Sequence, residues 1–241
     1  MNSLAMRNVT FTYNGYKPVL LDASMNARSG EVTIVVGPTG SGKSTTLMIL
    51  AGLLHPERGN VYLDGRPISR IENYRRLVGF LFQNPEDQLF NPTVFDEIAY
   101  SLRTMRLPRE EIIEKVRSVS ERLGIGDLLR EYTYRLSAGQ KKLVAIASIL
   151  VYDPEILLLD ELSTNIDYDG LQILDSVVEE YVEKDRIVVV ATHDVNIVEK
   201  YSGRICVVKN TKISCRDSGE VNIDELVREA KLPFIFKRRC A

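Results

Sequence analysis

The chain has 241 residues, of which 44% are hydrophobic and 27% charged, a balance typical of a folded globular protein. Its formal net charge of −2 argues against a general nucleic-acid-binding protein. The longest apolar runs are strand-sized, whereas a membrane-spanning helix needs roughly 20 apolar residues, and the N-terminus lacks the apolar core of a signal peptide.

The first 36 residues predict β-structure. Residues up to about Ala27 lack strong helical periodicity, and we expect them to form antiparallel strands. Residues 31–36 form an apolar run typical of a buried strand, and this run leads directly into a glycine-rich stretch.

The glycine-rich stretch fits the pattern G-x-x-x-x-G-K-[ST], followed by a helical segment that extends to Ala51. The pattern and the next residue comprise Gly37, Pro38, Thr39, Gly40, Ser41, Gly42, Lys43, Ser44 and Thr45. A chance match in a chain of this length is on the order of one in a hundred. The glycines let backbone N–H groups face an anion, Lys43 reaches the β- and γ-phosphates, and Ser44 ligates Mg²⁺. The pattern therefore predicts a nucleoside triphosphate site.

The middle of the chain changes from strand to helix periodicity. Residues 59–64 predict a short strand that ends in a turn at Asp64 and Gly65, and residues 78–83 predict another. From Thr93 onward apolar residues recur at helical spacing, and we interpret residues 93–135 as a helical lobe inserted in an α/β core.

The second half predicts further alternation of helices and strands. Ser137 begins a helix, residues 156–159 and 187–191 are buried strands, and an amphipathic helix lies between these strands. Strands that are apolar on both faces indicate a parallel sheet covered by helices on both sides. Ligands of such sheets bind beyond the carboxyl ends of the strands.

Two carboxylates follow the apolar strand at residues 156–159. Asp160 suits a Mg²⁺ shell, and Glu161 could orient or deprotonate an attacking water. The alternative is that both are solvated charges at a strand end. We favour the catalytic interpretation because the pair lies downstream of a phosphate loop.

The segment 136–140, Leu-Ser-Ala-Gly-Gln, resembles the LSGGQ signature of ABC ATPases and lies between the helical lobe and the acidic strand, as it does in that family. Gln83 resembles the family's Q-loop glutamine, residues 163–167 its D-loop, and His193 its switch histidine. The resemblance covers about residues 4–210. It implies a P-loop NTPase fold with an N-terminal antiparallel region, and we treat residues 1–241 as one domain with a short C-terminal extension at 220–241.

The resemblance implies how the site works. Two ATPase subunits, identical or different, would pair head-to-tail, so that Ser137 and the backbone at Gly139 of one bind the γ-phosphate of ATP held by the other. Gln140 belongs to the same nucleotide-binding signature. Gln83 would contact Mg²⁺ and the attacking water, and His193 the γ-phosphate, beside the catalytic Glu161 and Lys43. Tyr13 resembles the aromatic residue that stacks on adenine, although an ordinary strand aromatic is a competing interpretation.

Residues 82–90, which we term the docking segment, resemble the same region of energy-coupling-factor transporter ATPases, which serve vitamin and metal-ion uptake. The resemblance implies that a transmembrane subunit docks near Gln83 and Phe90 and holds the chain at the cytoplasmic face of the membrane. Glu86 and Asp87 could pair with its arginines, or the segment could be a solvated acidic loop. A soluble ABC ATPase without a transport role and a non-hydrolysing ATP-responsive scaffold are the alternatives.

The chain departs from the family pattern at Ala138, Leu162 and Asn165, which would suit a heterodimer with one better and one poorer site. Near the C-terminus, residues 222–230 predict a short helix, and residues 234–239 could form a docking tail or an exposed terminus. The cysteines at 206, 215 and 240 follow no metal-binding spacing, and we expect free thiols in a reducing cytoplasm.

Overall fold

The protein contains two β-sheets. The structure is a computed structural model that describes residues 1–164, 166–201 and 203–232. The strands are, in chain order, β1 (Ser3–Thr12), β2 (Pro18–Arg28), β3 (Val32–Val36), β4 (Arg58–Leu63), β5 (Arg66–Pro67), β6 (Val78–Leu81), β7 (Ile156–Asp160), β8 (Ile187–Ala191), β9 (Arg204–Lys209) and β10 (Lys212–Asp217). The smaller sheet is antiparallel, in the order β2-β1-β4-β5. The larger sheet has the order β10-β9-β3-β8-β7-β6 and is parallel except for β10.

Helices cover the larger sheet. They are α1 (Lys43–Leu50), α2 (Val94–Thr104), α3 (Arg109–Arg122), α4 (Ala138–Leu150), α5 (Tyr168–Glu183), α6 (Val195–Lys200) and α7 (Ile223–Ala230). Polar side chains cap several of them: Thr93 accepts from an N–H of α2, Asp167 from one of α5, and Asn222 from two of α7. Within the described residues, no helix is both long and apolar enough to cross a lipid bilayer.

The central strands separate two hydrophobic clusters. In β7, Leu157 and Leu159 face the cluster built with the helical lobe, α4 and α5, whereas Ile156 and Leu158 face the cluster built with α1 and the smaller sheet. This alternation follows from the two-residue period of a strand, and it explains why every residue of β7 is buried. The mainly parallel sheet and antiparallel N-terminal region predicted from the sequence are confirmed.

Local boundaries differ from the predictions in places. The predicted strand at 78–83 is too long, because β6 ends at Leu81 and leaves Gln83 beyond the strand. The sequence patterns did not predict β5, β9, β10 or α6. The predicted C-terminal helix is confirmed as α7, with Asn222 as its cap. The predictions for Asn165 and for residues 234–239 lie outside the described residues.

The expectation of free thiols is wrong for two of the three cysteines. Cys206 of β9 and Cys215 of β10 are bonded as a disulfide, with their Cα atoms 4.0 Å apart. The two residues are direct partners in the antiparallel register of this hairpin, which brings their side chains together. Spacing along the chain could not reveal the pair because neither strand had been predicted. Cys240 lies outside the described residues.

Candidate functional site

Three adjacent strand ends bring the predicted site residues to one edge of the larger sheet. Val35 of β3 pairs with Ala191 of β8, and Ala191 pairs with Asp160 of β7. The backbone pairing continues past the strands: Thr192 donates its N–H to Val35 O at 3.0 Å, and Glu161 donates its N–H to Ala191 O at 2.9 Å. The glycine-rich loop, His193 and the two carboxylates therefore lie at the same edge.

The glycine-rich loop depends on glycine at two positions where the backbone is left-handed. Gly37 has φ 155°, and a Cβ there would lie 2.3 Å from Val208 O. Gly42 has φ 107°, and a Cβ there would lie 2.9 Å from a methyl carbon of Val19. Gly42 is also the N-cap of α1 and makes no side-chain cap, so the first N–H groups of α1 lie open to an anion.

Lys43, Tyr13 and Ser41 place polar groups in or beside the loop. Lys43 is buried, and its Nζ donates to Gly37 O at 3.0 Å. The Tyr13 hydroxyl lies 3.2 Å from Thr45 Oγ1, which brings the half-exposed Tyr13 ring beside α1. Ser41 Oγ is buried and has no hydrogen-bond partner among the described residues, as expected of a group that binds a ligand.

Asp160 and Ser44 form the second part of the site. Burial raises the pKa of Asp160 above its ordinary value, and a hydrogen bond from Ser44 acts in the opposite direction. Asp160 Oδ1 is buried without a hydrogen-bond partner in the described chain. Nowhere in that part of the chain do three or more His, Cys, Asp or Glu side chains gather as a metal cluster. A cation here would therefore depend on one carboxylate, one hydroxyl and ligand oxygens.

Glu161 and His193 face each other, with His193 Nδ1 2.7 Å from Glu161 Oε2. The Glu161 side chain is buried, whereas that of His193 is half exposed and so can contact both the carboxylate and a bound ligand. Glu161 has φ 56°, a left-handed conformation that is unfavourable for a residue with a Cβ. Such strain is commonly found at functional sites.

Lys142 is a functional candidate that the sequence predictions missed. It is fully buried in α4, and its Nζ donates to Glu161 O at 2.6 Å and to Thr164 O at 2.7 Å. Burial lowers the pKa of Lys142 to about 8, although the charges of Glu161 and Asp160 act in the opposite direction. A signal was present in the sequence: Lys142 precedes the buried Ala145, Ile146 and Ile149 by three, four and seven residues, so it lies on the apolar face of its helix.

The signature residues lie at the start of α4. Ser137 caps the helix, and its side chain and that of Gln140 form a reciprocal capping box. Ser137 and Ala138 are exposed, and Gly139 is partly exposed, so this helix end is open to a partner.

The docking segment packs against α4. Glu86 forms an ion pair with Lys141, which lowers the pKa of Glu86, and Gln88 donates to Ala145 O at 3.1 Å. Glu86, which we expected to pair with an arginine of a partner, thus has a partner in its own chain. Gln83 is exposed, and no hydrogen bond recorded for the described residues joins it to Ser44 or Asp160. Gln83 therefore stays a predicted metal ligand, placed in the loop after β6.

Comparisons with known proteins agree with this architecture. The family model described as ABC transporter matches residues 20–164. The energy-coupling factor transporter ATP-binding protein EcfA of Methanothermobacter thermautotrophicus is 34% identical over 235 residues, covering 95% of this chain and 76% of its relative. The structure of CbiO1 from Clostridium perfringens, described as part of the ABC transporter complex CbiONQ, is 33% identical with a TM-score of 0.79, covering 97% of this chain and 96% of that one.

A dimeric ATP-binding cassette, solved in a post-hydrolysis state with ADP and Pi, is also similar. It is 26% identical, with a TM-score of 0.81, and the match covers 89% of this chain and 98% of that one.

Proposed function

The chain belongs to the ABC transporter family as an ATP-hydrolysing subunit, and on that premise we propose that it powers uptake through a transporter of the energy-coupling-factor type. The observation that carries the ATPase mechanism is the meeting of three elements at one sheet edge: the glycine-rich loop, the carboxylates after β7 and His193 after β8. Similarity to EcfA and to CbiO1 supports the uptake class. Other subunits of the transporter would recognise the substrate.

Different residues of this chain bind ATP and hydrolyse it. The N–H groups at the start of α1 and the Lys43 ammonium hold the phosphates, because both present positive charge to an anion. Glu161 orients the attacking water and accepts its proton, and His193, 2.7 Å from that carboxylate, holds the carboxylate and the γ-phosphate in register. Tyr13 stacks on the adenine.

The donor set fits Mg²⁺. The Ser44 hydroxyl and Asp160 Oδ1, which has no hydrogen-bond partner among the described residues, are hard oxygen ligands. Mg²⁺ is usually held by one or two carboxylates together with substrate phosphates. When bound, Mg²⁺ would neutralise charge that develops on the β- and γ-phosphates. Gln83 is exposed in the loop that follows β6, and we propose that it joins this shell in the complex with ATP.

We further propose two kinds of protein partner. A second ATPase subunit would complete each site by presenting its signature residues to ATP bound by this chain. A transmembrane subunit would contact the docking segment, where Phe90 is 66% exposed and packs edge-on against the half-exposed Tyr100. These contacts would hold the chain at the cytoplasmic face of the membrane.

The adenine contact is tested by replacing Tyr13. Loss of a base–aromatic stack costs about 1–3 kcal/mol, so Tyr13→Ala should weaken ATP affinity by roughly 5- to 150-fold. Tyr13→Phe should retain most of the affinity because it keeps the ring. Titration with a fluorescent ATP analogue measures both variants.

A matched control for the adenine contact is Tyr16→Ala, which removes a tyrosine that is 87% exposed in the same turn. This variant should bind ATP as the wild type does. If Tyr13→Ala also kept its affinity, Tyr13 would be an ordinary aromatic residue of the turn after β1, with no contact to adenine.

The transport role is tested by purifying the tagged chain from the detergent-solubilised membranes of its own organism. We expect a small integral membrane protein and a second ATPase to co-purify, both identified by mass. Phe90→Glu should lose the membrane protein, because it places a charge in an apolar contact, while retaining ATP binding.

The control for this experiment is Leu21→Glu, which alters an exposed apolar residue in the smaller sheet, away from the docking segment. It should co-purify with the same proteins as the wild type. Recovery of soluble partners alone would leave the ATPase assignment intact and refute the transport role.

A further inference from the structure

Lys142 is a buried cation that the ATPase mechanism given above does not use. Its Nζ lies 2.6 Å from Glu161 O and 2.7 Å from Thr164 O, so it spans the loop that follows β7. Burying an ammonium group is costly unless hydrogen bonds compensate, and a neutral residue of similar volume would avoid that cost. A lysine at this position therefore suggests a role that an apolar side chain could not perform.

The backbone of Glu161 needs such a partner. Glu161 adopts φ 56°, and a non-glycine residue in this region costs about 1–3 kcal/mol and persists only where its surroundings hold it. Its N–H is held by Ala191 O at 2.9 Å, and its C=O is held by Lys142. The two bonds fix the peptide groups on both sides of the Glu161 Cα, and hence the direction in which the carboxylate leaves the chain.

We propose that Lys142 is a positioning residue for hydrolysis, which acts by holding Glu161 in the left-handed conformation that aims its carboxylate at His193 and at the attacking water. This proposal rests on the assignment of Glu161 as the catalytic carboxylate. The neighbouring Lys141 projects elsewhere, to Glu86 of the docking segment, so only Lys142 of this lysine pair reaches the catalytic loop.

The first test compares turnover with binding. Lys142→Met keeps the length of the side chain but removes every donor, and it should lower kcat by about 10- to 100-fold, since small misplacements of a catalytic group cost this much. Affinity for ATP should stay within about twofold of the wild type, because Lys142 does not contact the phosphate loop in the recorded bonds. Lys142→Arg and Lys142→Gln restore donors, and at least one of them should recover most of the loss.

A matched control is Lys115→Met, which removes an exposed lysine of α3 and should leave kcat unchanged. Thermal melting of each variant separates a folding defect from a catalytic one. If Lys142→Met does not fold, Lys142→Leu, which also removes every donor, carries the same test. Wild-type kcat in the folded donor-free variant, or failure of both donor-restoring variants to recover activity, would overturn the proposal.

The second test asks whether Lys142 acts through Glu161. Lys142→Met is introduced into the Glu161→Gln background as a double-mutant cycle. Phosphate release is measured for the wild type, the two single variants and the double variant. We expect less than about a twofold further loss in this background, because residues that act as a unit are non-additive. If the two losses multiply, Lys142 supports only the fold and does not act through Glu161. If Glu161→Gln itself retained full turnover, the assignment of Glu161 would fail instead, so the two failures are distinguishable.

Discussion

Glu161→Gln is expected to bind ATP with wild-type affinity while its hydrolysis slows by about 10²- to 10⁴-fold, the usual contribution of a general base. The substitution keeps the size of a side chain that is only 5% exposed, so packing around the loop should be preserved. It removes the charge and basicity that an attacking water requires. Phosphate release at saturating ATP and Mg²⁺ measures hydrolysis, and calorimetric titration with ATP measures affinity.

The same variant should also change the oligomeric state. If ATP closes a head-to-tail dimer and hydrolysis reopens it, the slow variant should elute as a stable dimer in size-exclusion chromatography with ATP and as a monomer without it. Glu110→Gln, which neutralises an exposed glutamate in the first turn of α3, is the control and should behave as the wild type. Unchanged turnover of Glu161→Gln would refute its catalytic role.

The elements that the sequence predicted well are those determined by local pattern. The apolar runs that became β3, β7 and β8 could be recognised because a strand buried on both faces leaves a continuous run of apolar residues. The phosphate loop could be recognised because its glycines are required where the backbone is left-handed, as at Gly37 and Gly42. The capping box of Ser137 and Gln140 likewise joins residues three apart.

The features that could not be predicted depend on contacts between distant segments. Cys206 meets Cys215 only because β9 and β10 pair in a particular register. Glu86 pairs with Lys141 across 55 positions, and Lys142 reaches Glu161 across 19. Periodicity places each of these side chains on a face of its own element, but it does not say which other element covers that face. The order of the strands supplies that information.

Lys43→Ala is expected to abolish tight ATP binding. Truncating one partner of a buried charge pair costs about 2–5 kcal/mol, which corresponds to roughly 30- to 4000-fold in affinity. Lys43 is buried at the start of α1, with its Nζ 3.0 Å from Gly37 O, so its ammonium lies within the loop that would enclose the phosphates. Titration with ATP and Mg²⁺ measures the loss.

Two comparisons make this expectation about Lys43 specific to the phosphate contact. Lys184→Ala removes an exposed lysine at the C-terminal end of α5 and should leave ATP affinity unchanged. Without ATP, Lys43→Ala should melt close to the wild-type temperature. It should lose the rise in melting temperature that ATP produces, because a ligand stabilises the folded state only if it binds to it at the concentration used. The Lys43→Ala and Glu161→Gln variants then separate the two halves of the site, since the first loses binding and the second loses only turnover. A Lys43→Ala protein that bound ATP as tightly as the wild type would show that the phosphates bind elsewhere. Glu161 and His193 would then not lie beside the γ-phosphate, and their proposed catalytic roles would fail as well.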